Sequence, residues 1–148
     1  MKPMSLFIVI ALAVALLPLR AFSNTRVVDD VQPGGVLSFG EFQARLTGLD
    51  VPGLDHRMGL EIWDFIKREI HGKKVQLFTW TTNNQASGIV RDDAGYAFAQ
   101  IKYGKNWSNN LNELLLQKGY ARVDADHLPE DLQHYIANCQ KNVLCSTD

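Results

Sequence analysis

Ala44 to Gly53 reads A-R-L-T-G-L-D-V-P-G, and this stretch decides the fold. Phe42, Ala44 and Leu46 alternate with Gln43, Arg45 and Thr47, the period of a half-buried strand with Arg45 on the face opposite Phe42. Gly48 and the pair Val51-Pro52 then punctuate the chain as turns. Arg45 is a donor of the kind that grips phosphate, and Asp50 is an oxygen ligand of the kind hard cations take. Five positions separate them, so a bend must bring them to one site.

Outward from this strand the period changes twice. Upstream, Val36-Leu37-Ser38-Phe39 is a short strand with a tight connection at Gly40-Glu41. Downstream, Gly59 to His71 takes a helical period, with Ile62, Trp63, Ile66 and Ile70 on one face and Glu61, Asp64 and Arg68 on the other. Gly72 stands where a helix stops. Lys73 to Trp80 returns to strand, with Val75, Leu77 and Thr79 on one side. Gly88 to Arg91 and Tyr96 to Tyr103 are further extended runs joined by the turn Asp92-Asp93-Ala94-Gly95. Asn109 to Lys118 reads as a second helix, with Asn110 and Glu113 spaced as a capping box and Gly119 past its end. Pro129 opens a third, striped by Leu132, Tyr135, Ile136 and Cys139. The order predicts a mainly β, α+β domain: a five-stranded OB-type barrel with three helices packed on it.

The 148 residues suffice for one domain. Residues 1–23 have the pattern of a secretory signal peptide: Lys2, the 12-residue apolar run Leu6 to Leu17, and the small residues Ala21 and Ser23. The competing reading is an uncleaved N-terminal anchor. The expected mature domain is 24–148, secreted or periplasmic, with no membrane span after cleavage. Removing Lys2 and Arg20 leaves 13 basic residues against 16 acidic, a net charge of −3. That balance argues against a strong nonspecific grip on nucleic acid, which needs a basic surface. Export would place Cys139 and Cys145 in an oxidising compartment, where a disulfide between them would contribute about 2 kcal/mol. The other reading of Cys139 is a buried helical residue.

Four blocks together resemble the staphylococcal nuclease, or thermonuclease-like, domain family across about Val36 to Val143. They are A-R-L-T-G-L-D-V-P, the Gly59 helix running into H-G-K-K-V-Q-L, R-D-D-A-G-Y-A-F-A, and N-N-L-N-E-L-L-L-Q-K-G-Y-A-R-V. The resemblance implies an OB-type fold and calcium-assisted phosphodiester hydrolysis by two metal aspartates, a glutamate and two arginines. Arg45 matches the first arginine and Asp50 the second metal aspartate. The other three positions fall on Gly35, Gly53 and Tyr96. Losing a positioned acid–base group costs about 10²–10⁴ in rate, and losing one donor to developing charge about 10²–10³.

The expectation is therefore a domain with a degraded active site, without calcium-dependent nuclease activity and without a cofactor, acting as a binding or interaction module. The competing reading is a metal-dependent phosphodiesterase rebuilt around Arg45 and Asp50, with calcium as its cofactor. Asp55 or His56 would then supply a loop acid or base, and Arg91 or Asp92 would replace charge beside the hairpin. The plain alternatives are a polar loop over Leu54 to Arg57 and an Arg45 held in an ion pair, with Asp50 as its candidate partner. A third reading, a nucleic-acid binder without catalysis, uses Trp63, Trp80 and Trp107 as stacking platforms; Trp63 lies on the buried helix face, while Trp80 and Trp107 end strands or loops. Asn106-Trp107-Ser108 fits the N-glycosylation pattern.

Overall fold

A computed structural model describes residues 22–80 and 88–124 of the chain. It is a mixed α+β structure, mainly strands, with two α-helices among the described residues. In chain order the strands are β1 (Phe22–Val27), β2 (Asp30–Gln32), β3 (Val36–Phe39), β4 (Phe42–Leu46), β5 (Leu49–Asp50), β6 (Lys74–Thr79), β7 (Ala97–Tyr103), β8 (Asn109–Asn110) and β9 (Arg122–Val123). The helices are α1 (Gly59–Ile70) and α2 (Leu111–Gln117).

The main sheet runs β1-β6-β7-β4-β3-β2, with β8 on β7, and β5 pairs β9 in a small second sheet. The one parallel pairing, β4 with β7, sets Arg45 opposite Phe98. Elsewhere the ladder is antiparallel, and β3 against β4 sets Val36 opposite Arg45. The strand pairing does not close into the expected five-stranded barrel; the ladder has two ends, β1 and β2. Those ends are consecutive in the chain. Val28 and Asp29 lie between them and hydrogen-bond to both flanks: Val28 N to Lys73 O, Gly72 N to Val28 O, and Asp29 N to Ser38 O.

β3 spans the residues read as a short strand, β4 ends at Leu46, one residue short of the alternation, and Ala44 and Leu46 point into the core while Arg45 does not. In β6, Val75, Leu77 and Thr79 are all buried, as their period requires. α1 buries Ile62, Phe65, Ile66 and Ile70, each worth about 2 kcal/mol of apolar transfer. Phe65, not Trp63, completes that stripe. Trp63 stays half-buried because its indole Nε1 reaches out to donate to Val31 O at 2.6 Å, and Lys67 Nζ lies 3.6 Å from its ring centroid. Gly72 ends α1 with φ of +70°, a conformation glycine adopts without strain.

Several expectations change in detail. The run 88–91 forms no strand among the described residues; it contributes the bridge of Arg91 to Ala97 and hydrogen bonds from Val90 N to Trp80 O and from Phe98 N to Val90 O. α2 starts at Leu111, since Asn109 and Asn110 are first used to pair with β7. Asn110 then caps it, accepting from Asn112 N and Glu113 N. Trp80, just past the end of β6, is buried, and Trp107 is half-buried, so neither is an open stacking platform. At the N-terminus, β1 begins at Phe22, so the boundary expected after Ser23 falls within a strand paired to β6. Most of the signal segment, the helix expected from Pro129, and Cys139 with Cys145 lie outside the described residues.

Candidate functional site

Of the positions singled out by the resemblance, Gly35, Arg45 and Tyr96 gather at one corner of the sheet, while Asp50 and Gly53 line a separate cleft. Gly35 immediately precedes β3, whose Val36 pairs with Arg45 on β4. It is buried with φ of +77°, and a Cβ built on it would stand 2.9 Å from Val51 Cγ2 and 3.1 Å from Val51 Cβ. Gly35 is thus packed against the residue that follows Asp50. Tyr96 joins the corner through the hairpin, since its N–H donates to Asp92 Oδ1 at 2.8 Å.

Arg45 does not pair with Asp50. Its Nη1 meets Asp92 Oδ2 at 3.2 Å, and both side chains are sheltered, 31 % and 11 % exposed. The hairpin geometry explains the pairing. Asp92 N donates to Tyr96 O and Gly95 N to Asp92 O, which fixes the Asp92 backbone and turns its carboxylate toward β4. One oxygen then holds the turn and the other holds the arginine. An arginine so engaged presents less of its fork to a phosphate than a free one. Arg91, the other charge beside the hairpin, is exposed; its Nη1 donates to Gly95 O at 2.8 Å and its guanidinium lies 5.5 Å from the Phe42 ring centroid.

Asp50 is exposed and belongs to a different arrangement. Paired in register with Arg122, it lines a cleft of about 430 Å³ together with Gly53, Asp55 and His56 from the following loop. Met58 and Ile62 supply apolar lining, and Gly119 to Arg122 close the opposite side. The loop is held by its own backbone: His56 N donates to Gly53 O, Gly59 N to His56 O, and Met58 N to His56 Nδ1 at 3.2 Å. Gly59 is required for this packing, since a Cβ there would meet Gly53 O at 1.9 Å. A Cβ on Gly53 would stand 3.0 Å from Asp55 Oδ1, so Asp55 already occupies the space beside it.

These residues do not fit a calcium site. Calcium takes six to eight oxygens, with carboxylates among them. The cleft offers Asp50 and Asp55, Gly35 has no room for a ligand, and among the described residues no three His, Cys, Asp or Glu side chains are grouped to hold a metal.

Sequence reasoning missed Asn112. This buried side chain accepts from Ile101 N at 3.2 Å and donates to Ala99 O at 3.3 Å and Thr47 O at 3.4 Å. It ties α2 to β7 and to the turn that separates Arg45 from Asp50. A polar residue inside the Leu-rich α2 was the available signal. Two tyrosines also bind glutamates of α1. Tyr103 Oη donates to Glu69 Oε2 at 2.9 Å, and burial, followed by that bond, pushes its pKa well above the ordinary range. Tyr120 Oη donates to Glu61 Oε1 at 2.8 Å, and that bond raises its pKa in the same direction.

No model of a known protein family matches the chain, and no curated protein matches it.

Proposed function

We propose that this chain is a divergent thermonuclease-like domain that has lost calcium-dependent nuclease activity and acts as an exported binding or interaction module. The observation that carries the reading is Gly35. It is the position where the resemblance requires a metal aspartate, and Val51 fills the space a side chain would need. The Arg45–Asp92 pair adds to it, because the retained arginine is engaged by a carboxylate of its own hairpin.

The strand order supports an OB-type barrel in this reading. β1 and β2 stand at opposite ends of the ladder, yet two residues join them and hydrogen-bond to both flanks. In this reading the bent connection shared by both edges would close a barrel through the chain itself. The gathering of Gly35, Arg45, Tyr96 and Val51 at one corner supports the residue matches. The apolar run Leu6 to Leu17 supports export.

Incubating the mature protein with single-stranded DNA and calcium tests the proposal. The expected result is no cleavage above a protein-free blank. Robust cleavage that Arg45→Ala abolishes would refute it, and would favour the rebuilt phosphodiesterase instead.

A further inference from the structure

The Asp50 cleft, which includes the Asp50 and Gly53 positions of the resemblance, has the features of a site for a ligand other than a metal ion. It is concave, about 430 Å³, and combines an apolar lining from Met58 and Ile62 with charged groups at the rim, the usual make-up of a ligand pocket. Its charges are uncommitted. Among the described residues neither Asp50, Asp55 nor Arg122 takes part in an ion pair or a side-chain hydrogen bond. Two carboxylates against one guanidinium leave the cleft with one negative charge in excess, counting His56 as neutral.

We propose that this cleft receives a lysine or arginine side chain presented by a partner protein, an inference that rests on the interaction-module reading and names its partner chemistry. The aliphatic stem of such a side chain would lie along Met58 and Ile62, as these stems do on apolar surface. The cationic head would reach Asp50 and Asp55. Arg122 stands opposite Asp50 in register and can donate to a main-chain carbonyl of the incoming peptide. That donor is why the cleft suits a peptide-borne cation better than a free amine. Two carboxylates also suit an organic cation better than calcium, which needs more oxygens.

The test is an amide NMR titration of the ¹⁵N-labelled chain with N-acetyl-lysine N-methylamide. Binding should shift amides of residues 50–58 and 119–122. The norleucine analogue, which keeps the stem and lacks the ammonium, should shift them far less, and butylamine should bind more weakly than the lysine derivative. Asp50→Asn and Asp55→Asn, both at exposed positions, should each weaken binding about fivefold. Equal binding of norleucine would overturn the charge argument, and equal binding of butylamine would overturn the peptide source. Displacement of the lysine derivative by calcium at matched ionic strength, or shifts unchanged in both variants, would overturn the site. Adding single-stranded DNA and calcium to the same sample separates the two proposals. Cleavage refutes the module reading, whereas an absence of both cleavage and shifts refutes only the cleft.

Discussion

Giving position 35 an aspartate side chain should damage this protein. Gly35→Asp places a Cβ 2.9 Å from Val51 Cγ2 in a backbone conformation with φ of +77°. The left-handed backbone costs a side chain about 1 kcal/mol, at the low end for aspartate, which tolerates that region better than most residues. Forcing atoms against the buried Val51 adds about 1–3 kcal/mol. The sum, about 2–4 kcal/mol, is a large part of the roughly 5–15 kcal/mol that holds a domain folded. In urea, with a slope of about 1–3 kcal/mol/M, the midpoint should fall by about 1 M or more. Gly35→Ala should show most of the same loss, since the contact begins at Cβ. Pairing it with Val51→Ala removes the two γ-carbons at 2.9 and 3.4 Å, so the double variant should recover about 1–2 kcal/mol relative to the sum of the singles. The reasoning fails if Gly35→Asp unfolds within about 0.5 kcal/mol of the parent. It fails equally if calcium raises the midpoint of that variant, because a ligand that binds the native state must stabilise it.

Two further outcomes test the framework around the site. Asn112→Ala removes a buried side chain that serves Ile101 N, Ala99 O and Thr47 O, and should cost about 2–4 kcal/mol in urea denaturation with an unchanged slope. Tyr103 has its pKa raised in the folded state by burial and by Glu69, so its contribution is fully present below the unfolded value of about 10 and is lost as pH rises through the folded value. Stability measured across alkaline pH should therefore fall above about pH 10 in the parent, and more gently in Tyr103→Phe.

Much of the fold was legible because its signals are local. The alternation of β4 fixes which face Arg45 takes, and the helical period of α1 together with Gly72 fixes that helix and its end. Trp63 misled for a physical reason. Periodicity counts an indole as apolar, while its Nε1–H seeks an acceptor and found Val31 O across the layer boundary. The ends of the ladder were harder to read, since the hydrogen bonds from Val28 and Asp29 to distant strands leave no mark on those two residues.

The candidate site divides along the same line. From the sequence alone came the residue identities, among them Arg45, Asp50, Gly35, Gly53 and Tyr96, and an acidic balance of charge. Only the tertiary structure decided the partners. Arg45 found Asp92, 47 positions away, rather than Asp50 at five, because the hairpin turn fixes the Asp92 carboxylate against β4. Asp50 was left to a cleft built from two further segments of the chain. Sequence states which charges a protein owns. Which of them neutralise one another depends on distances of a few ångströms between strands that no local pattern encodes.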